Sequence, residues 1–242
     1  MDLIISFYYS TISERQSEIE TSLWNNLSKS FIKTIHMIMT EEDNQKFINS
    51  NFKNHPFNNK VVTHILAVQP TYSYLLKYAS QLNDSTTVCI CNTDIEILIH
   101  DENIPSLFDY LRDKKMCYFI TRHEYDMTDF LIKNFGGSHD AFVFNTEVLK
   151  ESLKDKDLNY INYIQNTSGI EALLTLFFID SLQYEILNPC WQMILKHHHK
   201  SNVRLWAAAS PGPIGYTYPH KLNHASRIIH CSYMIKPCKI SF

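Results

Sequence analysis

In the first half of the chain, apolar residues fall into short continuous runs separated by stretches that are apolar on one side only. Leu3-Ile4-Ile5-Ser6-Phe7-Tyr8-Tyr9 reads as a first core strand. From Glu14 to Phe31, residues Ile19, Leu23, Leu27 and Phe31 recur with helical spacing, which predicts an amphipathic helix. Thr34-Ile35-His36-Met37-Ile38-Met39 and Val61-Val62-Thr63-His64-Ile65-Leu66 predict a second and a third strand. Thr71 to Leu82 returns to helix, with Leu75, Leu76, Ala79 and Leu82 on one face, and Thr87 to Cys91 predicts a fourth strand. Strands alternating with helices imply an α/β, Rossmann-like domain whose mostly parallel central sheet is flanked by helices. In such sheets ligands sit at the carboxyl ends of the strands, and Asp94 falls at that kind of position.

The second half is less regular. Met116 to Thr121 and Ala141 to Phe144 predict strands, Gly169 to Leu182 a buried helix, and Tyr184 to Leu187 and Met193 to His197 two short strands. From Ala207 the texture changes, and Pro211-Gly212-Pro213 with Gly215 marks a loop. No internal repeat is visible. The expected division is a domain over residues 1–206 and a C-terminal extension or lid over residues 207–242, packed on the same domain.

Composition narrows the picture. With 242 residues, 45% hydrophobic and 13% aromatic, the chain can bury a sizeable core. A net charge of -3 gives no basic footprint, so nucleic acid is not an expected partner. Only 5 glycines are present, and neither GxGxxG nor GxxxxGK[ST] occurs. The opening run lacks a basic segment and is too short and too polar at its end for a signal peptide or a membrane span. A cytoplasmic protein with no transmembrane segment and reduced cysteines is the expectation.

The chemistry concentrates in a few segments. Asn92-Thr93-Asp94-Ile95-Glu96 puts Asn92, Asp94 and Glu96 on one side if the preceding strand continues, and Mg²⁺ or Mn²⁺ takes one or two such carboxylates beside substrate phosphates. A solvated turn at a strand end is the plainer reading. His197 and His199 share one side of an extended segment and His198 faces the other, so the pair suits a metal shell, or else forms a polar surface run. Lys200 and Arg204 follow and could face a diphosphate. Arg122 ends a strand and could pair with phosphate, or with Glu124 or Asp126. Asp140, after Gly136-Gly137, could accept hydrogen bonds from sugar hydroxyls. Glu171 opens an apolar helix three residues after Ser168, which a capping box explains and a catalytic base also fits.

Together these segments resemble a GT-A-fold glycosyltransferase family common in large DNA viruses and bacteria. Arg15-Gln16-Ser17-Glu18 looks like that family's Arg-x-x-Glu helix, and Cys91-Asn92-Thr93-Asp94-Ile95 like its Asn-Ser/Thr-Asp-Ile form of the DxD motif. Thr121-Arg122, Ser138-His139-Asp140-Ala141-Phe142-Val143-Phe144 and Gly169-Ile170-Glu171 are similar to further blocks. Asn188-Pro189-Cys190 and His197-x-His199-x-Ser201-x-x-Arg204 resemble the closing segment, the most specific match. Asn92, Gln69 and His139 stand where similar sequences often carry Asp, Arg and Gln.

The resemblance implies a metal-dependent transfer of sugar from a nucleotide-sugar donor, UDP-linked by expectation, to a glycan or protein hydroxyl, in the cytoplasm of a host cell if the chain is viral. Mn²⁺ or Mg²⁺ would be held by Asp94, Glu96, His197 and His199. Tyr8, Arg15, Asn92, Arg122, Lys200 and Arg204 would contact the donor. Glu171 and Asp140 would serve catalysis. Two other readings share some of these residues. A nucleotidyltransferase would use the same metal site to attack phosphorus but usually needs a Gly-rich loop after the first strand. A zinc-binding interaction module would use Cys190, His197 and His199, with Cys231 or Cys238 as the fourth ligand.

Overall fold

The computed structural model describes residues 1–50, 54, 56–82, 87–112, 114–123, 139–165, 167, 169–201 and 238–240. Its centre is a seven-stranded sheet in the order β3-β2-β1-β4-β8-β6-β9. The strands are β1 (Asp2–Ser6), β2 (Thr34–Thr40), β3 (Val61–Leu66), β4 (Thr87–Cys91), β6 (Met116–Ile120), β8 (Ala141–Asn145) and β9 (Glu185–Leu187). Neighbours pair in parallel except β8, which runs antiparallel to both β4 and β6. The sheet is therefore mostly parallel, as the alternating pattern predicts. The single reversed strand brings the start of β8 to the same edge as the ends of β1, β4 and β6.

Strand alternation divides the core into two layers. Leu3, Ile5, Cys89, Cys91, Tyr118, Ile120, Ala141 and Val143 point to one face, which packs on α1 (Ser13–Leu27) through Ile19, Leu23 and Leu27. Ile4, Val88, Ile90, Phe119, Phe142 and Phe144 point to the other. That face is covered by α3 (Tyr72–Ala79), α5 (Thr146–Leu153) and α6 (Ile170–Leu176). Both faces being covered explains why the inner strands β1, β4, β6 and β8 read as near-continuous apolar runs rather than alternating ones.

A second, three-stranded sheet has the order β5-β10-β7, from β5 (Ile95–Ile99), β10 (Met193–His197) and β7 (Arg122–His123). Pairing of β10 with β5 is antiparallel, with His197 opposite Ile95 and Lys196 opposite Glu96. Among the described residues, the outer edge of β5 is completed by a side chain rather than a strand. Asn26 of α1 donates to the Ile95 carbonyl at 2.7 Å and accepts from the Ile97 amide at 2.9 Å.

Several expectations shift in detail. The first strand ends at Ser6, and Phe7 to Tyr9 lead into α1. Two helices not anticipated are α2 (Glu41–Asn49) and α4 (Ile104–Tyr110). The predicted helix from Gly169 to Leu182 is α-helical to Leu176 and continues over Phe177–Ser181 with the wider π-type turn. Gly169 occupies the cap of α6 with φ 81°, a left-handed conformation that glycine adopts without a Cβ clash. The expected capping partner, Ser168, lies outside the described residues. Of residues 207–242, only 238–240 are described. The Cys238 amide donates to the Asn188 carbonyl at 2.9 Å, and Ile240 is buried and bonded to Gln192 at 2.7 and 3.1 Å. Among the described residues no helix is long and apolar enough to cross a membrane.

Candidate functional site

The carboxyl ends of β1 and β4 open on a cleft lined by Ser6, Tyr8, Arg15, Gln69, Asn92, Thr93, Asp94 and Gln165. At its floor Asp94 sits in the turn between β4 and β5, and one oxygen, Oδ2, is the focus of three cationic or imidazole groups. Arg15 Nη2 donates to it at 2.6 Å, His197 Nε2 lies at 2.9 Å and His199 Nδ1 at 3.6 Å. Asp94, His197 and His199 each turn a ligand atom inward, all within 4.8 Å of one another. Burial alone would push the Asp94 carboxyl upward. The hydrogen bonds from His197 and His199, with the charges of His197 and Arg15, outweigh it and hold the group well below its ordinary 3.8.

Arg15 is anchored as a fork. Its Nη1 donates to Glu18 Oε2 at 3.0 Å and to the His198 carbonyl at 3.3 Å, and its Nε to the Tyr8 hydroxyl at 3.4 Å. Glu18 then accepts from the Ser201 amide at 2.7 Å and its hydroxyl at 3.0 Å, closing the chain that leaves β10 onto α1. Glu18 was not singled out for a role from sequence. Its signal is the spacing to Arg15, which puts both side chains on one helix face.

A second group lies beside the first. Asp140, just before β8, accepts from Asn92 Nδ2 at 2.9 Å and from Arg122 Nη1 at 3.1 Å. Arg122 thus pairs with Asp140, whereas Glu124 and Asp126, its anticipated alternatives, lie outside the described residues. Asn188 fixes the end of β6 by accepting from the Thr121 amide at 3.1 Å and donating to the Thr121 hydroxyl at 2.9 Å. Glu171 stands in the first turn of α6, close enough to Asp140 and Arg122 to feel their charges. Burial, reinforced by the Asp140 charge and partly offset by a backbone hydrogen bond and by Arg122, pushes its carboxyl up to about 8.

Two sequence expectations need correction. Asn92, Asp94 and Glu96 do not share one side, because β4 stops at Cys91 and a turn intervenes before β5. Asn92 accordingly turns to Asp140, and Glu96 faces away from Asp94, bonded to Asn25 at 2.9 Å, His198 at 2.9 Å and Lys29 at 3.2 Å. The Asp94 cluster therefore does not include Glu96. Nor does it include Cys190, so a zinc site built on Cys190, His197 and His199 does not form among the described residues. Cys190 is buried in the core with its carbonyl accepting from His123. Cys231 and Arg204 lie outside the described residues, and Lys200 is exposed beyond the cluster.

No protein-family model matches the chain, and no curated protein matches it in sequence. Among solved structures it is similar to the mannosyltransferase PcManGT from Pyrobaculum calidifontis, in complex with GDP-Man and Mn²⁺. The TM-score is 0.52 at 12% identity, covering 81% of this chain and 56% of that one. The chain thus spans about half the length of that protein. A looser likeness, TM-score 0.43 at 13% identity over 82% of this chain and 58% of the other, links it to S. aureus TarS. The first likeness concerns the backbone, and with the sheet order it establishes a GT-A-like α/β fold for this chain.

Proposed function

We propose that this protein transfers a sugar from a nucleotide-sugar donor to a hydroxyl acceptor, assisted by a divalent cation held by Asp94, His197 and His199. The observation that carries the reading is that this cluster lies at the carboxyl end of β4, on a cleft at the sheet edge where α/β folds bind nucleotides. The donor set fits a metal. Asp94 is held ionised, and His199 Nε2 is buried with no hydrogen-bond partner among the described residues, although a buried ring nitrogen is costly to leave unpaired. One carboxylate with two imidazoles suits Mn²⁺ better than Mg²⁺, which prefers oxygen ligands throughout.

A bound cation would supply Lewis-acid neutralisation of the charge that develops on the departing diphosphate. The remaining work falls to the chain. Arg15 keeps Asp94 ionised and, with Tyr8, lines the donor cleft. The Asn92–Asp140–Arg122 chain presents fixed polar groups for sugar hydroxyls. Glu171 is suited to take the acceptor proton, since a carboxyl raised to about 8 is a stronger base than an ordinary one and is poised near neutral pH. Titration calorimetry with MnCl₂ tests the metal half of this reading. Wild type is expected to bind about one ion per chain, and Asp94→Asn to weaken binding at least about tenfold. Equal affinity in the two proteins overturns the assignment.

A further inference from the structure

Three consecutive histidines leave β10, yet the strand ends at His197, so alternation alone does not fix where His199 points. The intervening residue does. The His198 amide donates to the Asp94 carbonyl at 2.8 Å, extending the β5–β10 ladder by one step, and its carbonyl accepts from Arg15 at 3.3 Å. Its ring is the third anchor, with Nε2 2.9 Å from Glu96 Oε2. Glu96 sits opposite Lys196 in the ladder, so His198 is its diagonal neighbour on the same face. Glu96 is itself immobilised by Asn25 and Lys29 of α1 and its end. The ring and the carboxylate are both buried, away from Asp94.

We propose that Glu96 and His198 are positioning residues for the cation site. By pinning the residue between the two candidate ligands, they hold His197 and His199 on the Asp94 side. The inference rests on the cation reading above and assigns a role to the two side chains of the acidic and histidine segments that lie outside the cluster. It also gives a role to His198, which alternation places on the side away from the pair.

The test is the affinity of the full chain for Mn²⁺ and the visible absorption of its Co²⁺ form, which reports ligand geometry. His198→Ala and Glu96→Leu are expected to weaken Mn²⁺ binding about 10- to 100-fold and to alter the Co²⁺ spectrum. Glu96→Gln, which keeps an acceptor for the ring, is expected to stay within about threefold of wild type with an unchanged spectrum. Folding is checked by circular dichroism, and where an apolar variant fails to fold, His198→Ser, too short to reach Glu96, takes its place. Wild-type affinity and spectrum in folded His198→Ala or His198→Ser would overturn the positioning role while leaving the cation site standing. Absence of Mn²⁺ and Co²⁺ binding in wild type would instead overturn the cation site itself.

Discussion

Two carboxyls of the candidate site are driven to opposite protonation states. Asp94 is buried but surrounded by donors and stays ionised, whereas Glu171, half-buried near the Asp140 carboxylate, loses enough hydration to be pushed up to about 8. In the function proposed above, such a separation lets one carboxyl hold charge and the other move a proton. If Glu171 is the base, kcat/KM rises by about tenfold per pH unit below about 8 and levels above it. Glu171→Gln should remove that limb and lower turnover by about a hundredfold. Stability supplies an independent check. A carboxyl raised from 4.5 to about 8 favours the folded state while neutral, and that contribution is lost as pH rises through this window. Glu171→Gln should therefore flatten the loss of stability between about pH 4.5 and 8. A Gln variant with unchanged turnover and an unchanged stability profile contradicts both parts.

At the scale of elements, α1 is the support of the site. One face packs on the central sheet, and the other sends Arg15, Glu18, Asn25 and Asn26 to the Asp94 turn, the chain after β10, and β5. Asn26 matters for β5 in particular, because it occupies two backbone groups on an edge that no strand of the described residues covers. Asn26→Ala would leave a buried carbonyl and amide unpaired, and urea unfolding should show a loss on the order of 3 kcal/mol. A loss below about 0.5 kcal/mol would mean that water or a neighbour satisfies the edge instead. This support was hard to read from sequence. Val61–Leu66, Thr87–Cys91 and Met193–His197 are legible because each carries consecutive apolar residues, Val61-Val62 and Ile65-Leu66, Val88 to Cys91, and Met193 to Leu195. α2 was not anticipated, because its only buried residues are Asp43 and Phe47, too few for a helical period. β5 was hidden because its Glu96 was read as a continuation of the Asp94 cluster. The reversal of β8, and contacts such as Arg15 to Asp94, 79 residues apart, depend on long-range pairing that local pattern does not encode.

For the molecule as a whole, the sheet gathers groups distant in sequence along one edge. The ends of β1, β4 and β6, the start of β8 and the first turn of α6 bring Tyr8, Asp94, Arg122, Asp140 and Glu171 there, and the end of β10 with the residues after it delivers His197 and His199 to Asp94. The fold class was legible from the alternation of strands and helices, and the Asp94 and histidine segments stood out as chemistry-bearing. Their meeting was not legible, because it depends on β10 pairing with β5. That convergence is also what a nucleotidyltransferase would use, with the difference that attack would fall on phosphorus rather than on the sugar carbon. The products separate the two. With a panel of nucleotide sugars, Mn²⁺ and water or simple glycosides as acceptors, the account predicts a nucleoside diphosphate and a free or transferred sugar, with Asp94→Asn inactive. Nucleoside monophosphate with sugar phosphate, or intact donor throughout in protein that binds Mn²⁺, would contradict it.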